Sequence, residues 1–361
     1  MTRKLRILTV GMKPAVNEGL AERDDLEVAA MTHGVAEPFY QGPLRILPYQ
    51  QRSKISPKSS ASIREAVQAF RPDLVQTYGS RPLAHAVMAL VGRKDRPKLL
   101  SYRGVTSVPS RLRIEDWFTY LSPVVDAHAC ESQASMDGLL AGGVPRARCF
   151  LAYNCLTRPP EPAVSREALA EFGIPSDAFV VASVANFRRV KGGDLIVEAA
   201  KLCDDLPNAH FLLLGQVRDR RIAKLADDPA TQGRVHLAGF RNDAMDLAST
   251  ADLFVMPSRA EALCVALLEA MSMGVCPIVS DAGGMKEAVR HKTDGLVVPR
   301  GSSQALADAI RQLYSNRPQL ASYGESATHR FRAMFSRDVV AGRFAAAYHE
   351  LLDSPVGKAA A

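Results

Sequence analysis

The 361-residue sequence has no stretch approaching 18 consecutive apolar residues, so no transmembrane helix is expected. Its start, Met1-Thr-Arg-Lys-Leu-Arg6, is basic, but the apolar run behind it, residues 7–10, is too short for a secretory signal and lacks a small-residue cleavage site. A cytoplasmic protein is therefore expected, with peripheral attachment to the inner face of the membrane as an extension of that reading. There is no Cys-x-x-Cys pair: the six cysteines, at 130, 149, 155, 203, 264 and 276, read as buried free thiols and not as a disulfide frame or zinc site. The eight histidines form no ligand set, and no metal is expected. His128 lies in an apolar stretch and reads as a core residue, whereas His33 and His85 could line a cleft but are singled out by nothing in the sequence. Neither half carries Gly-x-Gly-x-x-Gly behind its first strand, which argues against an NAD-dependent dehydrogenase, and the Walker Gly-x-x-x-x-Gly-Lys-Ser/Thr is absent too. No internal repeat of fixed period occurs.

What is present is the composition of a folded protein: 47% hydrophobic and 23% charged residues, over a length that suits two domains. The formal net charge of +7 is uneven. Residues 1–155 hold 21 Lys and Arg against 14 Asp and Glu, and the remainder holds 24 of each. The excess points the first half toward something anionic, either an acidic glycan or a lipid headgroup surface, or serves solubility alone.

Short apolar runs alternate with helical stretches through the chain. In the first half, strands are expected at 5–10, 44–47, 73–77, 98–102 and 124–130, and helices at 62–70, 83–91 and 135–141, with a Ser/Lys/Pro-rich loop at 51–60. A helix is expected to begin or end within 117–121. A Pro-rich stretch, Thr157-Arg-Pro-Pro-Glu-Pro-Ala163, cannot be a core element and reads as a linker. The alternation then restarts, with strands at 179–184, 209–214, 234–237, 253–256, 276–280 and 295–298 and helices at 194–202, 263–273, 304–314, 318–334 and 337–352. This predicts α/β architecture: an N-terminal domain over 1–156, a linker over 157–165, a C-terminal domain over 166–335 and a last helix over 336–354. Ligands of such sheets bind beyond the carboxyl ends of the strands, here in a cleft between the two domains.

Three segments carry candidate chemistry. Ala185-Asn-Phe-Arg-Arg-Val-Lys-Gly-Gly193 follows a strand and opens a helix, and its three cations and two glycines suit a diphosphate. The alternative is a solvated basic turn. Met256-Pro-Ser-Arg-Ala-Glu261 leads into a helix carrying a second glutamate, Glu269, set among Ala266, Leu267, Leu268, Ala270 and Met271. Ser258-x-x-Glu261 also fits a capping box, so Glu261 has a structural reading beside the functional one. The third segment, Ser280-Asp-Ala-Gly-Gly-Met-Lys-Glu287, is another strand-to-helix junction with paired glycines.

Taken with Leu212-Leu-Leu-Gly215, residues 235–239, Ala251-Asp-Leu-Phe-Val-Met-Pro-Ser258 and Gly295-Leu-Val-Val-Pro299, these segments resemble the retaining glycosyltransferases of family 4 in order and spacing across residues 178–300. The resemblance implies the GT-B fold of two facing Rossmann-like domains, and transfer of a sugar from a nucleoside-diphosphate sugar to an acceptor with retention. It further implies a UDP-sugar before GDP-mannose, no metal, and no cofactor beyond the nucleotide-sugar co-substrate. The catalytic residues it points to are Lys191 on the diphosphate, Glu261 on the sugar hydroxyls and Arg103 near the anomeric end. Donor contacts would come from Gly11, Asn186, Arg188, Gln216, Phe240, the backbone of Ala262, Leu263 and Cys264, and Glu269 on the ribose. The sequence departs from the family at three places. Asn186 stands where an arginine is usual, five residues before the lysine, with Arg188 and Arg189 as the candidates to replace it. Arg103 stands where a histidine is usual, and Gly11-Met-Lys-Pro14 where Gly-Gly is common. The expected partners are a nucleotide-sugar donor, a cell-envelope glycan or lipid-linked acceptor, and an anionic membrane surface met through Arg111, Arg113 and Trp117; nucleic acid is not among them. A sugar-nucleotide epimerase or hydrolase of the same fold, and a non-catalytic glycan-binding protein, are the alternatives.

Overall fold

The structure, a computed structural model, describes residues 3–33, 44–50, 53–156, 164–231 and 233–353. Most of the expected linker, residues 157–163, lies outside the described residues. In chain order the elements of the first half are β1 (Leu5–Val10), α1 (Pro14–Ala21), β2 (Leu26–Thr32), β3 (Arg45–Pro48), α2 (Pro57–Phe70), β4 (Leu74–Tyr78), α3 (Ser80–Leu90), β5 (Lys98–Arg103), α4 (Ile114–Trp117), β6 (Ala127–Cys130), α5 (Gln133–Ala141) and β7 (Cys149–Leu151). The second half runs β8 (Phe179–Val184), α6 (Gly193–Leu202), β9 (Ala209–Leu214), α7 (Arg220–Ala226), β10 (Val235–Gly239), α8 (Ala244–Ser249), β11 (Leu253–Met256), α9 (Val265–Ser272), β12 (Cys276–Ser280), α10 (Met285–Ala288), β13 (Leu296–Val298), α11 (Ser303–Tyr314), α12 (Arg317–Met334) and α13 (Arg337–Asp353).

The chain divides into two compact units, Met1–Thr157 with Ser336–Ala361, and Arg158–Phe335. The first holds a seven-stranded sheet in the order β3-β2-β1-β4-β5-β6-β7, the second a six-stranded sheet in the order β10-β9-β8-β11-β12-β13. All pairings are parallel. Parallel strands joined by helical crossovers are covered on both faces, which is why their sequences are apolar without interruption. In β1, Leu8 and Val10 pack with Ile63 and Leu83 on one face, while Ile7 meets Val16, Leu20 and Phe344 on the other. In β8, Phe179 and Val181 face Ile196 and Ile310, and Val180 and Ala182 face Leu247. The last helix, α13, belongs to the first unit. Its Val340, Phe344 and Tyr348, four residues apart, form one buried stripe against that sheet. It approaches α1 so closely that a Cβ on Gly19 would lie 2.8 Å from Arg337 Cγ.

Both units are doubly wound, as the alternation predicts. Three local expectations differ. Residues 57–60, expected in a loop, form the first turn of α2: Pro57 suits the first helical position and the Ser56 hydroxyl accepts from the Ser59 amide at 3.2 Å. Neither α1 nor β2 is anticipated from the sequence, and β2 exists through its six-residue parallel register with β1. His85 is fully buried, hydrogen bonded to the Tyr49 hydroxyl at 2.5 Å and the Ser53 carbonyl at 2.8 Å, so it lines no open cleft. His128 is a satisfied core residue: its ring bonds Ser101 Oγ at 2.6 Å, and burial, with the charges of Arg103 and Arg148, pushes its pKa down to about 3. All six cysteines are free and buried. Among the described residues no helix is long and apolar enough to cross a membrane.

Candidate active site

In each sheet the strand order reverses once, between β8 and β11 in the second unit and between β1 and β4 in the first. At such a point the two following crossovers leave on opposite faces, so the loops beyond the strand ends part and leave a crevice for a ligand.

The second unit carries ten of the twelve expected site residues, all on loops at the carboxyl ends of its strands or on the helix that follows. The loop after β8 ends in a short 3-10 turn, Arg189–Lys191, and Gly192 sits at φ 71°. A Cβ at Gly192 would lie 2.2 Å from the Pro257 carbonyl oxygen, so the β8 and β11 loops touch backbone to backbone where only glycine fits. Arg259 then laces them together. Its amide donates to the Val190 carbonyl at 2.8 Å, and its guanidinium donates to the Arg189 carbonyl at 2.8 Å and to both oxygens of Asp194 at 2.7 and 2.8 Å. Burial alone would raise the Asp194 pKa, but the Arg259 hydrogen bonds and charge, with Arg221 beyond, hold it below its ordinary value. Across the same junction Lys191 Nζ forms an ion pair with Glu261, both side chains largely screened from solvent.

This geometry removes the capping reading of Glu261. The capping box does not form: α9 begins only at Val265 with Cys264 as its N-cap, and the buried Ser258 hydroxyl has no partner among the described residues. Instead Glu261 faces Lys191, and its carbonyl accepts from the Gly284 amide at 3.3 Å, which brings in the paired-glycine loop after β12. Ala262, Leu263 and Cys264 are buried, and among the described residues no hydrogen bond leaves their backbone N–H groups. Three amides ahead of a helix, beside a lysine, form a positive field suited to an anion.

The neighbouring strand ends bring in the other candidates. A Cβ on Gly215 would lie 2.0 Å from the Ala185 carbonyl oxygen, and the Phe187 amide donates to the Gln216 carbonyl at 2.9 Å, so Asn186, Arg188 and Gln216 share one rim. The Gly215 amide donates to the Gly239 carbonyl at 2.7 Å, which sets Phe240, 74% exposed, beside them. Arg188 is exposed, and no partner of its side chain is found among the described residues. Glu269 lies within α9, and burial pushes its pKa up to about 6.

Gly11 and Arg103 belong to the first unit, at the ends of β1 and β5. Gly11, at φ 78°, follows β1, and a Cβ there would lie 3.2 Å from the Tyr78 carbonyl oxygen. Beyond these strand ends lies a cavity of about 610 Å³ lined by Lys13, Tyr78, Tyr102, Arg103, Tyr120 and Glu131, among others. Lys13 Nζ lies 3.3 Å from Glu131 Oε1 and over the Tyr102 ring. Arg103 is 1% exposed; its guanidinium donates to the Ser107 carbonyl and lies 4.2 Å from the centre of the Tyr120 ring. Burial lowers its pKa. Sequence reasoning passed over Arg259, Asp194, Lys13 and Glu131. The signal for the first two was available: an arginine just past a strand, and an acid at the first turn of the helix behind Gly-Gly. Among the described residues no group of three or more His, Cys, Asp or Glu side chains is placed to hold a metal ion.

Residues 164–330 match the family model described as glycosyl transferases group 1. Among curated proteins, the chain is 31% identical over 186 residues to the lipopolysaccharide core biosynthesis glycosyltransferase LpsE of Rhizobium meliloti, a match covering 51% of this chain and only 53% of that relative. It is 26% identical over 355 residues to LpsD of the same organism, also described as a lipopolysaccharide core biosynthesis glycosyltransferase, covering 97% of this chain and 91% of the relative. Among solved structures, Anabaena HepE in complex with UDP-glucose superposes with a TM-score of 0.79 at 18% identity, covering 96% of this chain and all of that one. The fold is GT-B, and the family match and the relatives support a glycosyltransferase.

Proposed function

We propose that this chain is a retaining, metal-independent glycosyltransferase that moves a sugar from a nucleoside-diphosphate sugar, a UDP-sugar before GDP-mannose, to a cell-envelope glycan or lipid-linked acceptor. The observation that carries the reading is the Lys191–Glu261 pair beside the unbonded amides of residues 262–264, at the strand-order reversal of the second unit. In the transfer, the bond between the anomeric carbon and the diphosphate oxygen breaks, the acceptor hydroxyl oxygen takes its place, and the hydroxyl proton passes to the departing diphosphate. The diphosphate leaves with added negative charge. Lys191 and the amides meet that charge from fixed positions, with Arg188 on the same rim, which lowers the barrier without a metal. A diphosphate would replace Glu261 as the partner of Lys191, and the freed carboxylate would accept from the sugar hydroxyls. Glu269 would accept from the ribose. The complex of HepE with UDP-glucose supports the choice of nucleotide, and the lipopolysaccharide core relatives support a cell-envelope acceptor. Retention rests on the motif resemblance.

The test follows label from the donor sugar. Passage to an added acceptor supports transfer, and passage to water alone favours the hydrolase alternative. Lys191→Ala should lower turnover about 100- to 1000-fold, about 2.7–4 kcal/mol, and weaken nucleoside-diphosphate binding with the fold intact. Unchanged kinetics in that variant would remove the phosphate role.

A further inference from the structure

Charge beyond residue 155 is balanced, with 24 Lys and Arg against 24 Asp and Glu, yet it is not evenly placed. The β8 and β9 loops stay zipped together past the ends of their strands. The Phe187 amide donates to the Gln216 carbonyl at 2.9 Å, and the Arg218 and Asp219 amides donate to the Phe187 carbonyl at 3.0 and 3.1 Å. Phe187 and Val217 form an isolated parallel bridge there, and the buried Phe187 ring anchors it in the core. This junction gathers Arg188, Arg189, Arg218 and Arg220 at one edge. All four are exposed, and none has a carboxylate partner among the described residues. Their neighbours differ: Arg221 pairs with Glu198 at 2.7 Å, and Lys191 pairs with Glu261.

Stability does not explain this placement. Like charges held together repel, and Arg220 opens α7, at the end of a helix where the macrodipole disfavours a cation. The carboxylates at hand are engaged elsewhere. Asp219 accepts from the Arg221 amide at 3.0 Å, and Asp194 is held by Arg259. A face that only keeps a protein in solution mixes both signs, whereas this edge is dominated by one. A field of one sign at the mouth of an anion site raises the rate of encounter. It needs no contact in the bound state, because Coulomb attraction reaches about 8 Å at physiological salt.

We propose that Arg218 and Arg220, with Arg188 and Arg189, form a capture rim that draws the anionic nucleotide-sugar toward Lys191 and the amides of residues 262–264. The inference rests on the donor reading above and extends it to the step before the complex forms. Arg218 and Arg220 govern association, and the residues at the strand-order reversal govern dissociation and transfer. The free nucleoside diphosphate carries one more negative charge than the nucleotide-sugar. The rim therefore also speeds rebinding of the product, and product inhibition is strongest at low salt.

The test measures association itself. Phosphorus NMR line shapes across a titration of the full-length protein with UDP give Kd and koff, and their quotient gives kon. In the parent, kon should fall about tenfold or more between low salt and about 0.5 M. Arg220→Gln breaks no hydrogen bond found among the described residues, and it should lower kon about threefold at low salt. Adding Arg218→Gln should bring the loss to about tenfold, with koff unchanged. Arg220→Glu should slow binding more than Arg220→Gln. All variants should converge on the parent near 1 M salt, where the screening length falls to about 3 Å. Lys292→Asn removes an exposed charge at the amino end of β13, away from the rim, and should leave kon unchanged. The proposal is overturned if kon ignores salt, or if Lys292→Asn slows binding as much as Arg220→Gln. It is also overturned if the double variant loses affinity through koff, which would make the two arginines direct contacts. A parent that does not bind UDP overturns the donor reading and the rim with it, whereas UDP binding at a salt-independent rate overturns the rim alone.

Discussion

The two sheets reverse strand order in the same way, yet their reversal points are built differently. In the second unit the loops on either side are bound to each other: Gly192 against Pro257, Arg259 across to Asp194, and Lys191 to Glu261. In the first unit the loops beyond the strand ends leave a cavity of about 610 Å³, walled by tyrosines and by the Lys13–Glu131, Lys54–Glu115 and Arg113–Asp116 pairs. The same topology therefore yields a compact, preorganised charged site in one unit and an open, mixed polar and aromatic hollow in the other. A site that stabilises a leaving group gains from fixed charge, because reorganisation at the moment of reaction is avoided. A hollow of that size suits recognition of a larger molecule.

The sharpest way to break the comparison is Arg259→Met. It removes the three side-chain hydrogen bonds that lace the β8 and β11 loops and leaves Asp194, 1% exposed, with Arg221 at 3.7 Å as its nearest cation. Losing one partner of a buried pair costs about 3–5 kcal/mol. Chemical denaturation should show the loss, and hydrogen exchange should show it concentrated at residues 185–195.

Gly192→Ala comes next. The added Cβ meets backbone, at 2.2 Å from the Pro257 oxygen, in a left-handed conformation, so neither side can yield cheaply. A cost of about 1–3 kcal/mol is expected, together with reduced nucleotide affinity measured by calorimetry.

Glu269→Gln probes the half-buried carboxylate within α9. Its pKa of about 6 lies above the usual value for a glutamate, so the folded state holds its proton more tightly than the unfolded chain. Its contribution to stability is present at low pH and is lost as pH rises through about 6, a loss of about 2 kcal/mol at most. Glu269→Gln should flatten that part of the stability–pH curve. In the parent, donor affinity should fall as pH drops through about 6, since a protonated carboxyl accepts poorly from a ribose hydroxyl. A donor affinity independent of pH between about 5 and 7 would remove the ribose role.

The smallest effect belongs to the first unit. A Cβ on Gly104 would lie 2.2 Å from Glu131 Oε2, the far end of a side chain that can swing away. Gly104→Ala should cost under about 1 kcal/mol in the denaturation midpoint. It should shift the KM for acceptor more than the KM for donor, because Glu131 and Lys13 line the first unit's cavity alone.

The second unit was the more legible half because its chemistry is local in the chain. Strand, glycines, cations and helix start follow one another within nine residues at 185–193, and Glu261 lies five residues past β11. The first unit was legible as strand–helix alternation, but its cavity draws Lys13, Tyr78, Arg103 and Glu131 from four separate crossovers, and of these only Arg103 was singled out in the sequence, through the family resemblance. The strand β2 illustrates the same limit: Leu26-Glu-Val-Ala-Ala-Met-Thr32 has mixed local preferences and becomes a strand by pairing with β1 and β3.

By itself the sequence determined the two parallel α/β sheets, since uninterrupted apolar runs between helices can be buried in few other ways, and it set the glycines and cations of the second unit's candidate site next to one another in the chain. Only the tertiary structure decided where the Glu261 carboxylate lies. A Ser-x-x-Glu spacing is satisfied equally by a helix cap and by a loop. The helix start at Val265 and the approach of Gly192 to Pro257, 65 residues apart in the chain, turned that glutamate toward Lys191. Contacts between residues so far apart depend on how two crossovers pack on one sheet, and no local propensity encodes that packing.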